Sequence, residues 1–529
     1  MRYQRIILFL LVAMAGFPAV AQKKVKLLQG DRQIGAKRNG ERVDMVIGNV
    51  IFKHKETLIY CDTAITYRKR SNQLEAFGHV RIEDGDSITI TSKKLYYDGN
   101  TKDARLRDDV VFNKIGQGTL YTDFLDYDQP RQQAYYFNGG KLVDSTNVLT
   151  SEKGYYNTVT NVASFKKDVV STNPDYTLKS DTLQYNTDTK IIFFRAPTEV
   201  IDTEGNIFNY AEGIYNTNEK RSDLDKGDVK TENYILTGDK MNLDDIRKYY
   251  TATKNVFLIA KNNDVIITGE KGVYDKKTGI TKVYENALLK KLTSTGDTIY
   301  MSADTLVSID SDIDAEKRLL AYPNVKIFKS DLQGKADSMA YHLADSMMYC
   351  YIDPVIWTEG NQMTADSISI AIANNTIDKL FMKRNSFVIS EDTLANHNQI
   401  KGRDMIAFFN EEEIKQVNVY GNGESLYFAL DETDSYVMGM NKILCSNMAI
   451  NFKANDVDNI TFYIKPDANF IPPHELKESD KKLKDFVWRE SEKPAKNEVL
   501  RIETKEIQMI EPTEEKVLPS KVELELEKN

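Results

Sequence analysis

Tyrosine residues recur along this chain with a period of about thirty residues. The first six are spaced 30, 30, 29, 29 and 30 residues apart, and substituted positions continue the series at spacings of 28 to 38 residues. A unit this short cannot bury an apolar face alone, so neighbouring units must stack on a shared core. The sequence therefore predicts about twelve units of one repeat. Their marker positions are Tyr67, Tyr97, Tyr127, Tyr156, Tyr185, Tyr215, Leu243, Tyr274, Ser308, Tyr341, Ile370 and Phe408.

Each unit carries the alternation of a half-buried β-strand. In the segment around Tyr185, the apolar Leu183 lies two residues earlier, so both side chains point to one face. Thr182 and Gln184 point to the other face. The sequence predicts that Leu183 and Tyr185 are buried.

Turn residues follow the strand, and a second strand is interrupted by Gly or Pro. Asn, Asp and Gly supply the backbone conformations of tight turns, and a Gly or Pro inside a strand indicates a bulge or corner. The predicted unit is a strand, a tight turn, a bent strand and a loop, in antiparallel pairs. The turns are Asp98–Asn100, Asn186–Asp188, Asn216–Asn218 and Asp275–Gly279; the breaks are Gly78, Pro197, Pro323 and Pro354.

The first residues have the pattern of a secretory signal. Arg2 and Arg5 are basic, Ile6–Gly16 is apolar, and Ala19–Ala21 places small residues at the cleavage site. The apolar run is shorter than the roughly 20 residues that span a bilayer as a helix. We expect export, cleavage after Ala21 and a mature chain with no transmembrane span.

Charge and cysteine content exclude two further classes. The net charge of −9 becomes −11 when Arg2 and Arg5 are removed, whereas nucleic-acid-binding proteins carry basic stripes. Cys61, Cys350 and Cys445 are too few for a disulfide scaffold. We expect them to be small buried residues, and we expect no nucleic-acid partner.

The composition of the sequence changes near residue 465. Six of the twelve prolines follow this point, among charges of both signs. Phe486–Trp488 is the segment that we expect to dock on the end of the barrel, and we expect the chain beyond Glu490 to be partly disordered or only transiently helical. The predicted organisation is a signal peptide (1–21), an N-terminal lead-in (22–43), a first repeat region (44–243), a continuing repeat region (244–465) and a Pro-rich charged tail (466–529).

Two recurring sequence motifs resemble those of the OstA/LptA-like family, which repeats a pattern close to A-x-G-N-V-x-I followed by A-D-x-L-x-Y-D. Gly48–Ile51 and Glu75–Ile82 match the first half, and Asp123–Tyr127, Lys179–Asn186 and Asp337–Tyr341 match the second. Each motif is short, but the recurrence of the motifs at one period over residues 44 to 460 makes the resemblance specific.

The resemblance implies an elongated antiparallel β-jellyroll, folded over like a taco. It also implies a periplasmic protein that binds lipopolysaccharide by its lipid A part and passes it toward the outer membrane along a head-to-tail β bridge. We expect a multi-repeat form without the C-terminal outer-membrane barrel of a larger relative. Exposed sheet edges favour an edge-to-edge β partner, either a second copy or an outer-membrane component.

Arrangements for catalysis or metal binding are scarce. The five histidines share no metal-ligand spacing. Asp310–Asp314 opens like a calcium loop, but Ala315 stands where such a loop needs Gly and Ala321 where it needs the bidentate Glu. We therefore predict no enzyme activity, no cofactor and no metal site.

The apolar face of the strands is the candidate site. Each buried methylene of an acyl chain contributes about 0.8 kcal/mol, so lipid binding requires no polar motif. The same residues form an ordinary core if the jellyroll is closed. The candidate groove-lining residues are Ile65, Tyr67, Leu74, Ala76, Val80, Ile82, Leu95, Tyr97, Leu106, Phe112, Leu125 and Tyr127.

Three functions stay open at this point. The first is a non-enzymatic periplasmic scaffold that binds and transports lipopolysaccharide. The second is a structural or adhesive β-repeat scaffold with a closed core. The third is a parallel β-helix enzyme acting on polysaccharide, although such coils repeat at about 20 to 25 residues, a shorter period than this one.

Overall fold

The computed structural model describes residues 24–501 except residues 71, 117, 233, 262–264, 294–295, 359, 374–375, 411–412 and 454–455. The predicted signal peptide (1–21) and residues 502–529 of the tail lie outside the described residues. Strands dominate the described part, and the strand pairings recorded there are antiparallel. The predicted all-β antiparallel fold is confirmed, whereas the number of repeats stays a prediction.

The chain divides into two compact units. The first unit is Met1–Glu285 with Val307–Asp312, and the second is Asn286–Leu306 with Ile313–Asn529. The subdivision of the repeat at residues 243 and 244 stays a prediction.

Twenty-one strands lie wholly in the first unit, and β22 and β23 contain residues of both units. Their bounds are β1 Lys26–Gln29, β2 Arg32–Arg38, β3 Glu41–His54, β4 Thr57–Tyr67, β5 Gln73–Asp84, β6 Ile88–Asp98, β7 Asp103–Lys114, β8 Gly118–Asp128, β9 Gln133–Tyr136, β10 Gly140–Val143, β11 Val148–Ser151, β12 Lys153–Asn157, β13 Val162–Thr172, β14 Tyr176–Asn186, β15 Ile191–Phe194, β16 Thr198–Asp202, β17 Ile207–Asn216, β18 Arg221–Lys230, β19 Tyr234–Asp244, β20 Tyr249–Ala260, β21 Val265–Asp275, β22 Ile280–Leu292 and β23 Thr298–Ile309.

The second unit continues with fourteen strands in its described residues, three short 3-10 segments and one helix. Their bounds are 3-10 segment Asp314–Glu316, β24 Arg318–Tyr322, β25 Val325–Phe328, β26 Leu332–Ala336, β27 Ser338–His342, β28 Met347–Tyr351, β29 Val355–Thr358, β30 Asn361–Thr364, β31 Ser367–Ala373, β32 Thr376–Glu391, β33 His397–Asn410, β34 Glu413–Leu430, β35 Val437–Lys453, β36 Asp456–Tyr463, β37 Asp467–Ile471, 3-10 segments Pro473–Glu475 and Glu490–Glu492, and helix α1 Lys496–Leu500.

Alternation along the strands places the core. On β14, Leu183 is fully buried and Tyr185 is 7% exposed, whereas Thr182 and Gln184 are half-buried on the other face. The prediction for this strand is confirmed. Directly paired residues of antiparallel neighbours share a face, so the pairing register carries the apolar face from strand to strand.

Alternate long strands of the first unit carry a bulge near their middle. Gly78–His79 and Asp108–Asp109 have positive φ there, and the pairing register slips at the same points. Gly, Asn and Asp adopt this left-handed conformation most readily. The bend divides the strands into two facing walls. Wall A carries Ile59, Ile82, Ile90, Phe112 and Leu120 on its inner face; wall B carries Leu74, Ala76, Leu95, Leu106 and Leu125.

Breaks and turns lie where the sequence predicts them. Pro197 separates β15 from β16, Pro323 separates β24 from β25, and Pro354 separates β28 from β29. The predicted Asn, Asp and Gly segments form the turns between strands. The acidic segment near Met405–Asn418 is part of strands β33 and β34, with residues 411–412 outside the described part.

Short strands of the second unit continue the pairing pattern. Ile356, Met363, Val388 and Ile400 are successive partners on one face of β29, β30, β32 and β33. We call these paired segments wall C and this face its inner face. The outer face of wall C carries Trp357, Gln362, Ile389, Gln399 and Leu426.

The chain after β37 returns across the outer face of wall C. We call residues 472–501 the strap. Phe486 and Trp488 pack against an apolar cluster that includes Phe428 and Leu483, whereas Val487 is 59% exposed. The sequence predicts docking on the end of the barrel, but the segment lies on the outer face of wall C. Helix α1 lies beyond Glu490, where the sequence suggests partial disorder, and its Val499 is fully buried.

The three cysteines are free thiols. Cys61 and Cys350 are buried and Cys445 is half-buried. Burial raises the pKa of the Cys61 and Cys350 thiols to about 12, so both are protonated at neutral pH. They act as small core residues, as the sequence predicts.

Candidate functional site

The inner faces of walls A and B are rows of fully or nearly fully buried apolar residues. On wall B, Ala76, Leu95, Leu106 and Leu125 are successive partners with no exposed surface. On wall A, the corresponding row includes Phe112, which is 5% exposed. The arrangement follows from the two-residue period, because each strand contributes every second side chain to the interior.

Aromatic rings connect the two walls. Phe112 of wall A contacts Tyr156 of wall B with ring centroids 6.1 Å apart. His54 Nδ1 and the Tyr97 hydroxyl are joined by a hydrogen bond of 2.5 Å in the same way. The walls therefore touch at intervals, and the interior between them is divided into cavities.

Ten of the twelve candidate groove residues face this interior. Each is at most 7% exposed, and only Phe112 borders one of the cavities described below. Contact with lipid stays a prediction for them. They are Leu74, Ala76, Val80, Ile82, Leu95, Tyr97, Leu106, Phe112, Leu125 and Tyr127.

Ile65 and Tyr67 lie on the opposite face, so the prediction that they point inward is wrong. Ile65 is paired with Glu75, and the Tyr67 hydroxyl donates to a Glu75 carboxylate oxygen at 2.6 Å. Thr66, paired with the inward Leu74, occupies the position that Tyr97 has on β6. The tyrosine of β4 is thus displaced by one residue from the position that faces the interior. Successive side chains of a strand point to opposite faces, so this displacement turns Tyr67 outward.

A first cavity lies between the walls of the first unit. Its lining is almost wholly apolar, and two glycines make room for one ring: a side chain on Gly140 or Gly154 would collide with the ring of Tyr136. Burial raises the pKa of Tyr136 to about 12. The lining includes Phe112, Leu120, Ala134, Tyr136, Leu142, Tyr156 and Phe165.

A second, larger space opens farther along the first unit, and we call it the charged cleft. Its floor is apolar and aromatic, with Leu178, Phe194 and Tyr210 buried. Its mouth carries both signs of charge. The charged lining residues are Asp175, Asp202, Glu204, Asp245, Lys220, Lys248 and Lys276.

Tight turns form the rim of wall B. The backbone N–H of each turn donates to a carbonyl of the preceding turn, as from Asp245 to Lys220 and from Lys276 to Lys248, both at 2.9 Å. Lys220 and Lys248 occupy the left-handed position of successive turns, with φ of 49° and 59°. Hydrogen bonds between turns therefore hold a row of lysines along this rim, which we call the basic rim.

The opposite rim contributes carboxylates. Lys220 Nζ lies 3.0 Å from Asp175 Oδ2, and Lys276 pairs with Glu204. The contacts differ toward the N-terminus, where Lys114 donates to Asn161 Oδ1 at 2.6 Å and where Lys102 lowers the pKa of the nearby Lys55 ammonium. Ion pairs thus cross the mouth of the first unit at the charged cleft.

The second unit has an apolar cavity of its own. Ile327, Met348 and Phe409 are among the lining residues. Lys329 Nζ lies 2.9 Å from Asp331 Oδ2, whereas Asp331 Oδ1 is buried without a hydrogen-bond partner. An unsatisfied buried carboxylate oxygen can accept a hydrogen bond from a bound molecule.

Residues with other candidate chemistry are dispersed. Lys93 and Lys94 pair with Asp109 and Asp108 at a strand bend. Among the described residues no three His, Cys, Asp or Glu side chains converge in a way that could hold a metal ion. In the same part of the chain, no helix has the length and apolar character needed to cross a membrane.

Sequence reasoning missed the residues that border the charged cleft. Lys220 and Lys248 occupy the same position of successive turns, 28 residues apart, so the period contained a signal for these two; Lys276 lies three residues before Gly279, which holds the equivalent position in the next turn. A second signal was the presence of Lys at turn positions that favour Asn or Gly. Their convergence with Asp175 and Glu204 required the fold.

The fold and its interior define an all-β repeat protein with an apolar core between two facing walls. Residues 22–181 match the family model of the OstA-like proteins. The resemblance seen in the repeat motifs is therefore confirmed for residues 22–181, which are about a third of the chain.

No curated protein matches this chain. Among solved structures it is similar to LptH, described as the LptA homologous periplasmic component of the conserved lipopolysaccharide transport device from Pseudomonas aeruginosa. The identity is 13%, the match covers 22% of this chain and 82% of LptH, and the TM-score is 0.20. A TM-score of this size does not establish a shared fold over the whole chain.

Proposed function

We propose that this chain is a non-enzymatic periplasmic scaffold that binds lipopolysaccharide through the acyl chains of lipid A and takes part in its transport toward the outer membrane. The OstA-like match of residues 22–181 supports this class of function. The observation that carries the proposal is the apolar cavity between the walls of the first unit, which is lined by residues such as Leu120, Tyr136 and Phe165.

Acyl chains suit this interior because burial alone supplies the affinity. Each methylene contributes about 0.8 kcal/mol when it leaves water, so ten buried methylenes contribute about 8 kcal/mol before ordering costs. The ten inward candidate residues extend the same face beyond the cavity. They line a longer groove when the walls part at ring contacts such as Phe112–Tyr156.

Location and partners belong to the same proposal. Export requires the signal peptide ending at Ala21, and transport requires a neighbour for lipid transfer. Strands β1 and β2 pair with β3 and place Leu28, which is 56% exposed, at one edge. Such a strand can pair with another β edge, either a second copy or an outer-membrane component.

A structural or adhesive scaffold with a closed core is the second candidate. The ring contacts between the walls favour it, because Phe112, Tyr156, Phe194 and Tyr210 fill space that a continuous groove would need. The polysaccharide-acting β-helix does not fit the described strands, whose recorded pairings are antiparallel rather than parallel.

Photocrosslinking distinguishes the first two candidates. A photoreactive residue at Leu120, which faces the cavity, should crosslink to lipopolysaccharide in the exported chain. The same residue at the adjacent Tyr121, which is 46% exposed on the outer face, is the matched control and should not. Mass spectrometry of co-purifying lipids provides an independent measurement. An empty protein with no crosslink at Leu120 would favour the closed scaffold.

A further inference from the structure

The charged cleft combines two features that suit one kind of molecule. Its floor is apolar, formed by residues such as Leu178, Phe194 and Leu243, each at most 3% exposed. Its mouth carries three ammonium groups from the basic rim. A molecule that satisfies both features has an alkyl chain and an anionic head.

The lysines of the cleft are held in place by the backbone. Hydrogen bonds connect the turn of Lys220 to that of Lys248 through Asp245, and the turn of Lys248 to Lys276. Successive turns on this rim are separated by two strands, or roughly 9.5 Å, because neighbouring strands lie about 4.7–4.9 Å apart. The turns of Lys220 and Lys276 are therefore roughly 19 Å apart, so both lysine side chains must extend toward Lys248 to reach one polyatomic anion.

Two of these ammonium groups form ion pairs with carboxylates of the opposite rim. The Lys220–Asp175 pair has side chains 48% and 65% exposed, and the Lys276–Glu204 pair has 27% and 60%. Ion pairs between solvent-exposed side chains are weak, because water and salt screen them. An incoming anion can therefore replace Asp175 and Glu204 at little cost, and the replacement separates the two rims.

We propose that the charged cleft is the binding site for an amphiphile with a phosphate monoester head, which enters by displacing Asp175 and Glu204 from Lys220 and Lys276. Phosphate rather than carboxylate fits because three oxygens and a charge of about −1.5 to −2 match three cations. Lys248 is the third of these cations. The inference rests on the proposed lipid-binding function and assigns its head-group contact to residues beyond 181, where the family match ends.

The test compares two lipids that differ only in the phosphate, 1-lauroylglycerol 3-phosphate and 1-lauroylglycerol, titrated into the full exported chain by calorimetry. The wild type should bind the phosphate lipid at least about tenfold more tightly. Combined Lys220→Gln, Lys248→Gln and Lys276→Gln should remove that preference and leave 1-lauroylglycerol binding within about twofold. Lys190→Gln is the matched control, since Lys190 has the same turn position outside the cleft (φ 60°).

A second variant guards against loss of folding. Combined Asp175→Asn and Glu204→Gln removes the competing carboxylates, so phosphate-lipid affinity should rise by about threefold or more, and a gain cannot come from misfolding. Equal binding of both lipids by the wild type, or an unchanged preference in the lysine variant, overturns this inference alone. Binding of neither lipid by the wild type overturns the proposed function as well.

Discussion

The outer faces of wall A and wall C have the same strand-pair construction and opposite environments. On wall A, the row Arg81, Thr91, Val111, Tyr121 and Lys141 is exposed or half-buried. On wall C, the row Trp357, Gln362, Ile389, Gln399 and Leu426 is at most 2% exposed. The difference is the strap, which covers wall C.

Residue type decides which face needs a cover. Large apolar side chains on wall C would expose a contiguous apolar surface, which soluble monomers rarely tolerate. The strap covers them and is held by specific contacts. Gln399 donates to the Lys481 carbonyl at 2.8 Å and accepts from the Leu483 N–H at 2.7 Å. Gln362 makes the same pair of contacts with the backbone of Val487 and Arg489.

Charged contacts continue the attachment toward the end of the strap. Arg489 donates to both carboxylate oxygens of Asp353 at 2.7 and 2.8 Å, and it also bonds to Glu492. Lys335 pairs with Glu492 at 2.6 Å. Bidentate arginine pairs fix geometry as well as contributing energy. The strap therefore has one defined register on wall C.

The largest expected effect separates the two outer faces directly. Phe428→Ala should destabilise the protein by about 3–5 kcal/mol, because it leaves a cavity under the strap where Phe428 is 2% exposed. Tyr121→Ala, on the exposed face of wall A, should cost less than about 1 kcal/mol. Denaturant unfolding measures both. Equal costs would show that the strap contributes no burial.

The buried glutamines provide a second contrast. Gln399→Leu should cost about 1–3 kcal/mol, since the buried N–H of Leu483 loses its acceptor. Gln184→Leu is the matched change on the half-buried outer face of the first unit and should cost under about 0.5 kcal/mol. Hydrogen exchange of the strap peptide around Leu483 should rise only in the first variant. Unchanged exchange there would contradict the role of Gln399.

Acid should weaken the strap within a defined range of pH. Hydrogen bonds from Arg489 and Lys335 lower the pKa of Glu492 from its usual 4.5 to about 2. A carboxyl whose folded pKa is depressed stabilises fully above its unfolded pKa and loses that contribution as the pH falls toward the folded value. The strap should therefore loosen between about pH 4.5 and pH 2.

Trp488 can report this change, because the chain has two tryptophans and Trp357→Phe leaves Trp488 alone. Its emission should shift to the red over that range, and adding Glu492→Gln should abolish the transition. Far-ultraviolet circular dichroism is the control. A shift seen only when β-structure is lost would assign the change to global unfolding.

The smallest effect concerns the rims of the first unit. Asp175→Asn breaks an exposed ion pair and should change stability by less than about 1 kcal/mol, and less still in high salt. Denaturant curves at low and high ionic strength measure this. A larger cost would mean that the rims are held too firmly for an anion to exchange with Asp175.

Much of the fold followed from local residue patterns. The turn residues Asp98–Asn100, the break at Pro197 and the burial of Leu183 were all predictable, because each depends on backbone preference or two-residue alternation. The face of the strand on which each repeat residue lies was less predictable. Tyr67 kept the spacing of the tyrosines but faced outward, because a shift of one residue reverses the face and a period of about thirty residues does not specify it to that accuracy.

The sequence by itself determined the antiparallel β-class, the positions of turns and corners, and the apolar face of most strands, since these depend on neighbours within a few residues. The tertiary structure decided which residues meet across long separations. Lys220 meets Asp175 only because the strands fold into facing walls, and Arg489 meets Asp353 only because the strap returns over wall C. Such contacts depend on the path of the whole chain, which no local pattern encodes.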